Sequence, residues 1–150
     1  MVYDRTIEDV HSAKRLIAEK VQKGIELSQE DISILERGTI TYNTLNRIEN
    51  KKAELLKLLN GMGYWNTQIT NQHWADSKKF AEKDFSNLLN DIKTLKDAFF
   101  VYNSTPKNIS TEYTFQNINN IEKILKDLND MVLDAKSKYE YCGEFECGEK

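Results

Sequence analysis

The chain has 150 residues, enough for one domain that buries roughly 70% of its unfolded surface. Charged residues make up 30% and aromatic residues 10%, and Pro106 is the one proline; this argues against a disordered chain and fits a mostly helical domain. A formal net charge of −3 provides no global attraction for nucleic acid or an anionic membrane, so neither is expected as a partner.

Taken in chain order, Thr6 with Asp9 reads as a helix N-cap with an acidic first turn. Val10, Ala13, Ile17 and Val21 continue that helix, and Gly24 closes it. Ser28, followed by Glu30 and Asp31, caps a short helix over 29–37 that carries Ile32 and Leu35 and stops at Gly38. Thr41 opens a longer helix whose stripe is Leu45, Ile48, Leu55 and Leu59, with Lys52 interrupting it; Gly61 and Gly63 end it. Two stronger helices follow. Phe85, Leu88, Ile92, Leu95, Phe99 and Tyr102 fall three and four apart, as do Ile118, Ile121, Leu125, Leu128, Val132, Ala135 and Tyr139. Leu89, Ile124 and Met131 widen these stripes beyond a two-stranded seam, which favours a bundle over a coiled coil.

A short phrase recurs in the three long helices. It reads Leu45-Asn46-Arg47-Ile48, Leu89-Asn90-Asp91-Ile92 and Ile118-Asn119-Asn120-Ile121, preceded by Tyr42, Phe85 and Phe115. Each apolar pair shares one helix face, and the asparagine between them points off it. The expected fold is an all-α, antiparallel bundle of about four long helices and one short one, in a single domain over 1–150. Residues 140–150 form a Cys- and Gly-containing tail. The simplest order runs the helices beginning near residues 7, 42, 77 and 115 up, down, up and down.

Two connections exceed the 2–8 residues a bundle typically uses. Residues 61–76 carry Tyr64, Trp65, Ile69, His73 and Trp74; residues 103–114 carry Pro106 and Tyr113. The aromatic loop either seals the end of the core or forms a docking surface. Under the antiparallel order Tyr3, Tyr64, Trp65, Trp74, Tyr141 and Phe145 would gather at one pole, and these six residues are the candidate interface.

Reactive chemistry is sparse. Cys142 and Cys147 fit two free thiols, a disulfide formed after release from the cell, or half a metal site. A four-coordinate zinc would need further ligands, and His11 and His73 are the only histidines, so no metal is expected. No glycine-rich phosphate loop or nucleophile elbow is present, so no catalytic residues and no cofactor are expected. Basic and acidic residues alternate, as in Lys51-Lys52-Ala53-Glu54, which reads as a solvated face. No run reaches the roughly 18 apolar residues of a membrane helix. The opening Met1-Val2-Tyr3-Asp4-Arg5 lacks the apolar stretch of a signal peptide, so synthesis in the cytoplasm is expected and the sequons at Asn103 and Asn108 are uninformative.

Several phrases resemble small proteins encoded in the tail modules of bacteriophages and prophages. They are Asp4-Arg5-Thr6 with Asp9 and Ala13-Lys14, then Tyr42-Asn43-Thr44-Leu45-Asn46-Arg47-Ile48-Glu49. Trp74, Ala98-Phe99, Ser104-Thr105-Pro106 and Asn119-Asn120-Ile121-Glu122-Lys123-Ile124-Leu125 continue the likeness, and the Cys-Gly-x-Phe-x-Cys-Gly tail within 140–148 completes it. The resemblance implies a non-enzymatic structural component of a tail, baseplate or fibre, made in the host cytoplasm and then part of the virion. Its partners would be other tail or baseplate proteins and further copies of itself in a symmetric assembly. The short helix at 29–37 departs from the commoner pattern. A glycan- or cell-surface-binding module of the same apparatus is the alternative, and a helical regulator the third.

Overall fold

The computed structural model describes residues 3–64, 67–75 and 80–143, the last five of these by backbone alone. Five α-helices account for its regular structure: α1 (Ile7–Glu19), α2 (Gln29–Gly38), α3 (Tyr42–Gly61), α4 (Glu82–Ala98) and α5 (Phe115–Gly143), with one 3-10 turn at Val21–Lys23. Among the described residues there is no strand, so the chain is an all-α bundle, as its periodicity predicts.

The helix starts follow from their caps. Thr6 and Ser28 each accept from the amide three residues on, and Asp9 and Asp31 reach back to the cap amides. Thr41 accepts from the Thr44 amide. Ala81 has no side-chain acceptor, and Asp84 instead takes its amide at 2.9 Å. The expected helix start near residue 77 lies outside the described residues; α4 begins at Glu82 and ends at Ala98, so Phe99 and Tyr102 fall beyond it. Val21 and Ile32, read from the sequence as apolar positions of the first two helices, are exposed.

α1 and α2 form an antiparallel hairpin, held at one end by Arg37 on Asp9 and at the other by Lys20 on Asp31. Gly38 is still helical, so it does not stop α2 by a left-handed turn; Gly24 and Gly63 are the residues with positive φ. Its role is close approach. A Cβ there would stand 2.1 Å from the Asp9 carbonyl oxygen and 2.4 Å from the Ala13 Cβ.

α3, α4 and α5 build the core, with Ile48, Leu55, Leu59, Leu88, Ile92, Ile121, Leu125 and Leu128 packed together. These three helices run in the same direction, which the antiparallel expectation did not foresee. Near their starts, Asn46 bonds Trp74, Trp74 packs on Phe80, and Phe80 and Phe85 both pack on Tyr113 just before α5. Midway, Lys52 of α3 meets Asp91 of α4. At the far end Tyr64, just past α3, packs on Phe99, just past α4, at 5.4 Å. Parallel neighbours require the chain to travel back between them. A helix of 17 residues spans about 25 Å at 1.5 Å per residue, and an extended return covers that in about eight. The two long connections are therefore return segments running the height of the bundle.

Two outcomes test the hairpin. Gly38→Ala should lower stability by about 1–3 kcal/mol, because the added methyl meets backbone that must shift; urea melts would read it. Asp31 accepts from Lys20 at 2.6 Å and from Ser28 at 2.9 Å, and these donors, Lys20 first, hold its carboxyl from an ordinary 3.8 down to about 2. A depressed folded pKa stabilises above the unfolded value and is lost as pH falls toward the folded one. The Tm difference between wild type and Asp31→Asn should thus be present at pH 7, shrink below about pH 4, and close near pH 2.

Candidate functional site

The recurring phrase turns out to be a set of clamps on non-helical main chain. On α3 the Asn46 amide donates to the Trp74 carbonyl at 2.8 Å and accepts from the Trp74 amide at 2.8 Å. One residue offers its own N–H and C=O to the same side only when extended, so Asn46 acts as a one-residue neighbouring strand. One turn on, Glu49 accepts from the Gln72 amide at 3.1 Å. On α5 the Asn119 amide donates to the Arg5 carbonyl at 2.9 Å and accepts from the Arg5 amide at 3.4 Å. One turn further, Glu122 takes the Arg5 guanidinium at 2.5 Å. Asparagine followed by glutamate one turn later is the same device used twice.

The residues after Asn90 and Asn46 serve the neighbouring grooves. Asp91, on α4, accepts from the Thr70 amide at 3.2 Å and its hydroxyl at 2.7 Å. Arg47, on α3, donates to Glu122 at 2.9 Å. The segment through Thr70 and Trp74 is thus held between α3 and α4, and the segment at Arg5 between α5 and α3.

Charges close these clamps from within. Lys52, expected on a solvated face, is 1% exposed and donates to Glu49 at 2.9 Å and Asp91 at 2.8 Å. Its neighbour Lys51 does pair with Glu54 at the surface. Glu122 is 0% exposed and lies between Arg5 and Arg47. Burial of such groups is tolerable only where partners replace water, and here amides, hydroxyls and opposite charges do so. Donors and acceptors are directed at one another and at backbone, an arrangement that holds the segments in place.

The third groove, between α4 and α5, is built differently. Its segment is held by Lys96 on the Pro106 and Lys107 carbonyls, by Asp127 on the Thr105 hydroxyl, and by Asn117 on Ser110 and Glu112. Lys96, which lies off the apolar stripe of α4, is thus an anchor. The third copy of the clamp, Asn90 with Lys93, holds no return segment among the described residues. Asn90 is exposed, and among the described residues only its backbone carbonyl is bonded, by Thr94. Lys93 pairs with Asp97 on the surface. Both border an open groove of about 630 Å³ floored by Leu89, Ile92, Ile109 and Ile124.

Of the six aromatic candidates, the three whose side chains are described, Tyr3, Tyr64 and Trp74, lie apart from one another. Trp74 is 3% exposed near the starts of the parallel helices. Tyr3 is exposed, with the Lys123 ammonium 5.9 Å from its ring centroid, on the side where Arg5 meets α5. Tyr64 is exposed at the opposite end. Trp65 and Phe145 lie outside the described residues, as do the Tyr141 side chain and both cysteine thiols. The aromatic cluster at the far end includes residues the sequence reading did not choose: Phe99 packs on Tyr64 and on Phe100, Phe100 is 76% exposed, and Tyr102 is exposed beside them in sequence. Phe99 and Tyr102 fitted a helical stripe in the sequence, and that fit concealed them. Among the described residues no group of three His, Cys, Asp or Glu is placed to hold a metal ion, and no helix is long and apolar enough to cross a membrane.

Comparison with family models, with curated proteins and with solved structures finds no match to this chain.

The ionic clamp has a measurable consequence. Lys52→Met leaves Glu49 and Asp91 as unneutralised buried neighbours, and should cost on the order of 3–5 kcal/mol. Amide exchange should rise first at Thr70 and Gln72, whose amides those carboxylates accept. Stability within about 1 kcal/mol of wild type would show that the cluster is not a closed ionic clamp.

Proposed function

We propose that the protein is a structural component of a phage tail, baseplate or fibre assembly and acts by packing against other proteins. The observation that carries this reading is the aromatic end of the bundle, where Phe100 is 76% exposed with Tyr64 and Tyr102 exposed near it. Large rings left in water at one place are characteristic of contact surfaces, since they bury much area at small entropic cost. The kind of assembly is taken from the resemblance of Asp4-Arg5-Thr6 through Asn119-Asn120-Ile121-Glu122 to tail-module proteins.

In this reading the partners are other tail or baseplate proteins and further copies of the chain. No cofactor takes part, and the protein passes from the host cytoplasm into the particle. The alternative of a glycan-binding module using the 61–76 segment is weakened by Trp74, whose ring is packed inside rather than offered to a sugar.

Mass spectrometry of purified particles should find the protein at stoichiometric level. A Phe100→Ser, Tyr102→Ser double variant should keep its helical circular dichroism and lose incorporation by about tenfold or more, as truncation of aromatic anchors does at interfaces. Absence of the protein from complete particles, or normal incorporation of the folded double variant, would overturn the reading.

A further inference from the structure

We propose that the α4 groove binds an extended, acidic peptide segment of a partner protein, with the Asn90 amide on its main chain and Lys93 on a carboxylate. This deepens the packing reading by naming the partner's chemistry, and rests on it only in that the partner is a protein.

The argument starts from equivalence. The three asparagines occupy the same place in the same phrase, each two residues before a buried isoleucine: Ile48, Ile92 and Ile121. The three helices are parallel, so the asparagines point into three equivalent grooves. Asn46 and Asn119 each meet both main-chain groups of one residue, Trp74 and Arg5. Asn90 has the same amide in the same position and no main chain bonded to it among the described residues. Its own return segment stays clear of it, drawn instead to Lys96 and Asn117. What remains is the open groove of about 630 Å³ between that segment and α4.

The partner's charge follows from the change one turn after the asparagine. Glu49 and Glu122, one turn after their asparagines, each accept a donor from the clamped segment: the Gln72 amide and the Arg5 guanidinium. After Asn90 the same position is Lys93, a donor, which calls for an acceptor on the incoming chain. Lys96 and Lys107 border the groove as well, against a single carboxylate, Asp97. The Lys93–Asp97 pair is an exposed i,i+4 contact, which a better-placed carboxylate can displace at little cost. Leu89, Ile109 and Ile124 offer apolar wall to alternate side chains of an extended chain.

The test uses the full chain and two acetylated, amidated pentapeptides, Val-Glu-Val-Glu-Val and Val-Lys-Val-Lys-Val. Titration of 15N-labelled protein with the glutamate peptide should move the Asn90 side-chain amide and backbone amides of 86–97 and 107–111, and saturate. Asn90→Ala should weaken binding by about tenfold, the effect of two lost hydrogen bonds. Lys93→Glu should reverse the preference toward the lysine peptide. Both positions are exposed, and unchanged melting of the variants confirms that they fold. The proposal is overturned if the glutamate peptide does not saturate, if both peptides bind wild type equally, if Asn90→Ala binds as wild type does, or if the shifts fall elsewhere. Particle incorporation can succeed while this titration fails, and the reverse, so the two readings are separable.

Discussion

Three parallel helices pose a problem that antiparallel ones do not. The chain must come back past each helix before starting the next, and the returning main chain carries an N–H and a C=O at nearly every residue. Left dry and unpaired, such groups cost as much as lost hydrogen bonds. Here side chains on the helices meet them. The Asn46 amide satisfies both main-chain groups of Trp74, Glu49 and Asp91 take the Gln72 and Thr70 amides, and Asn119 serves Arg5. The helices thereby act toward the segments as sheet neighbours would, and the core behind them stays apolar.

The buried charges have the same origin. Glu49 and Asp91 lie under a return segment because they receive its amides, and two carboxylates there require a cation. Lys52 supplies it from the apolar stripe itself. Glu122 is the converse, one carboxylate between two guanidiniums, Arg5 from the first segment and Arg47 from α3. Such clusters contribute less to net stability than to arrangement, because any exchange of segments between grooves would strand a charge. They distinguish three grooves that the repeated phrase would otherwise make alike.

Much of the helical level is legible in the residues. Thr6 with Asp9, Ser28 with Asp31, and Thr41 mark their helices because capping is local and needs only residues three apart. The stripes through Ile92 and Leu128 mark the core for a similar reason. Helix direction is not legible this way, since Asn46 finds its partner 28 residues on and Asn119 finds one 114 away. The length of the connections held the clue. Read as surplus, they pointed to an aromatic docking loop; measured against helix height, they fit return journeys between parallel neighbours. Lys52 could have been recognised too, as a cation within an apolar stripe whose phrase-mate on α4 carries Asp91. Gly38 escaped because a glycine at the end of a helix reads as a stop, and only the packing of Asp9 and Ala13 reveals a close crossing.

Arg5 and Glu122 join parts of the chain 117 residues apart, and this bears on how the protein is made. On a ribosome the hairpin of α1 and α2 has all its partners early, and α3 follows. The segment at Arg5 then waits, because Asn119 and Glu122 do not yet exist. Until α5 emerges, Arg47 also lacks its carboxylate. Joining Arg5 to Glu122 is therefore a long loop closure, across 117 residues, that waits on α5. A nascent chain halted before α5 would hold a formed hairpin beside an open core, which is the species chaperones and proteases would meet first.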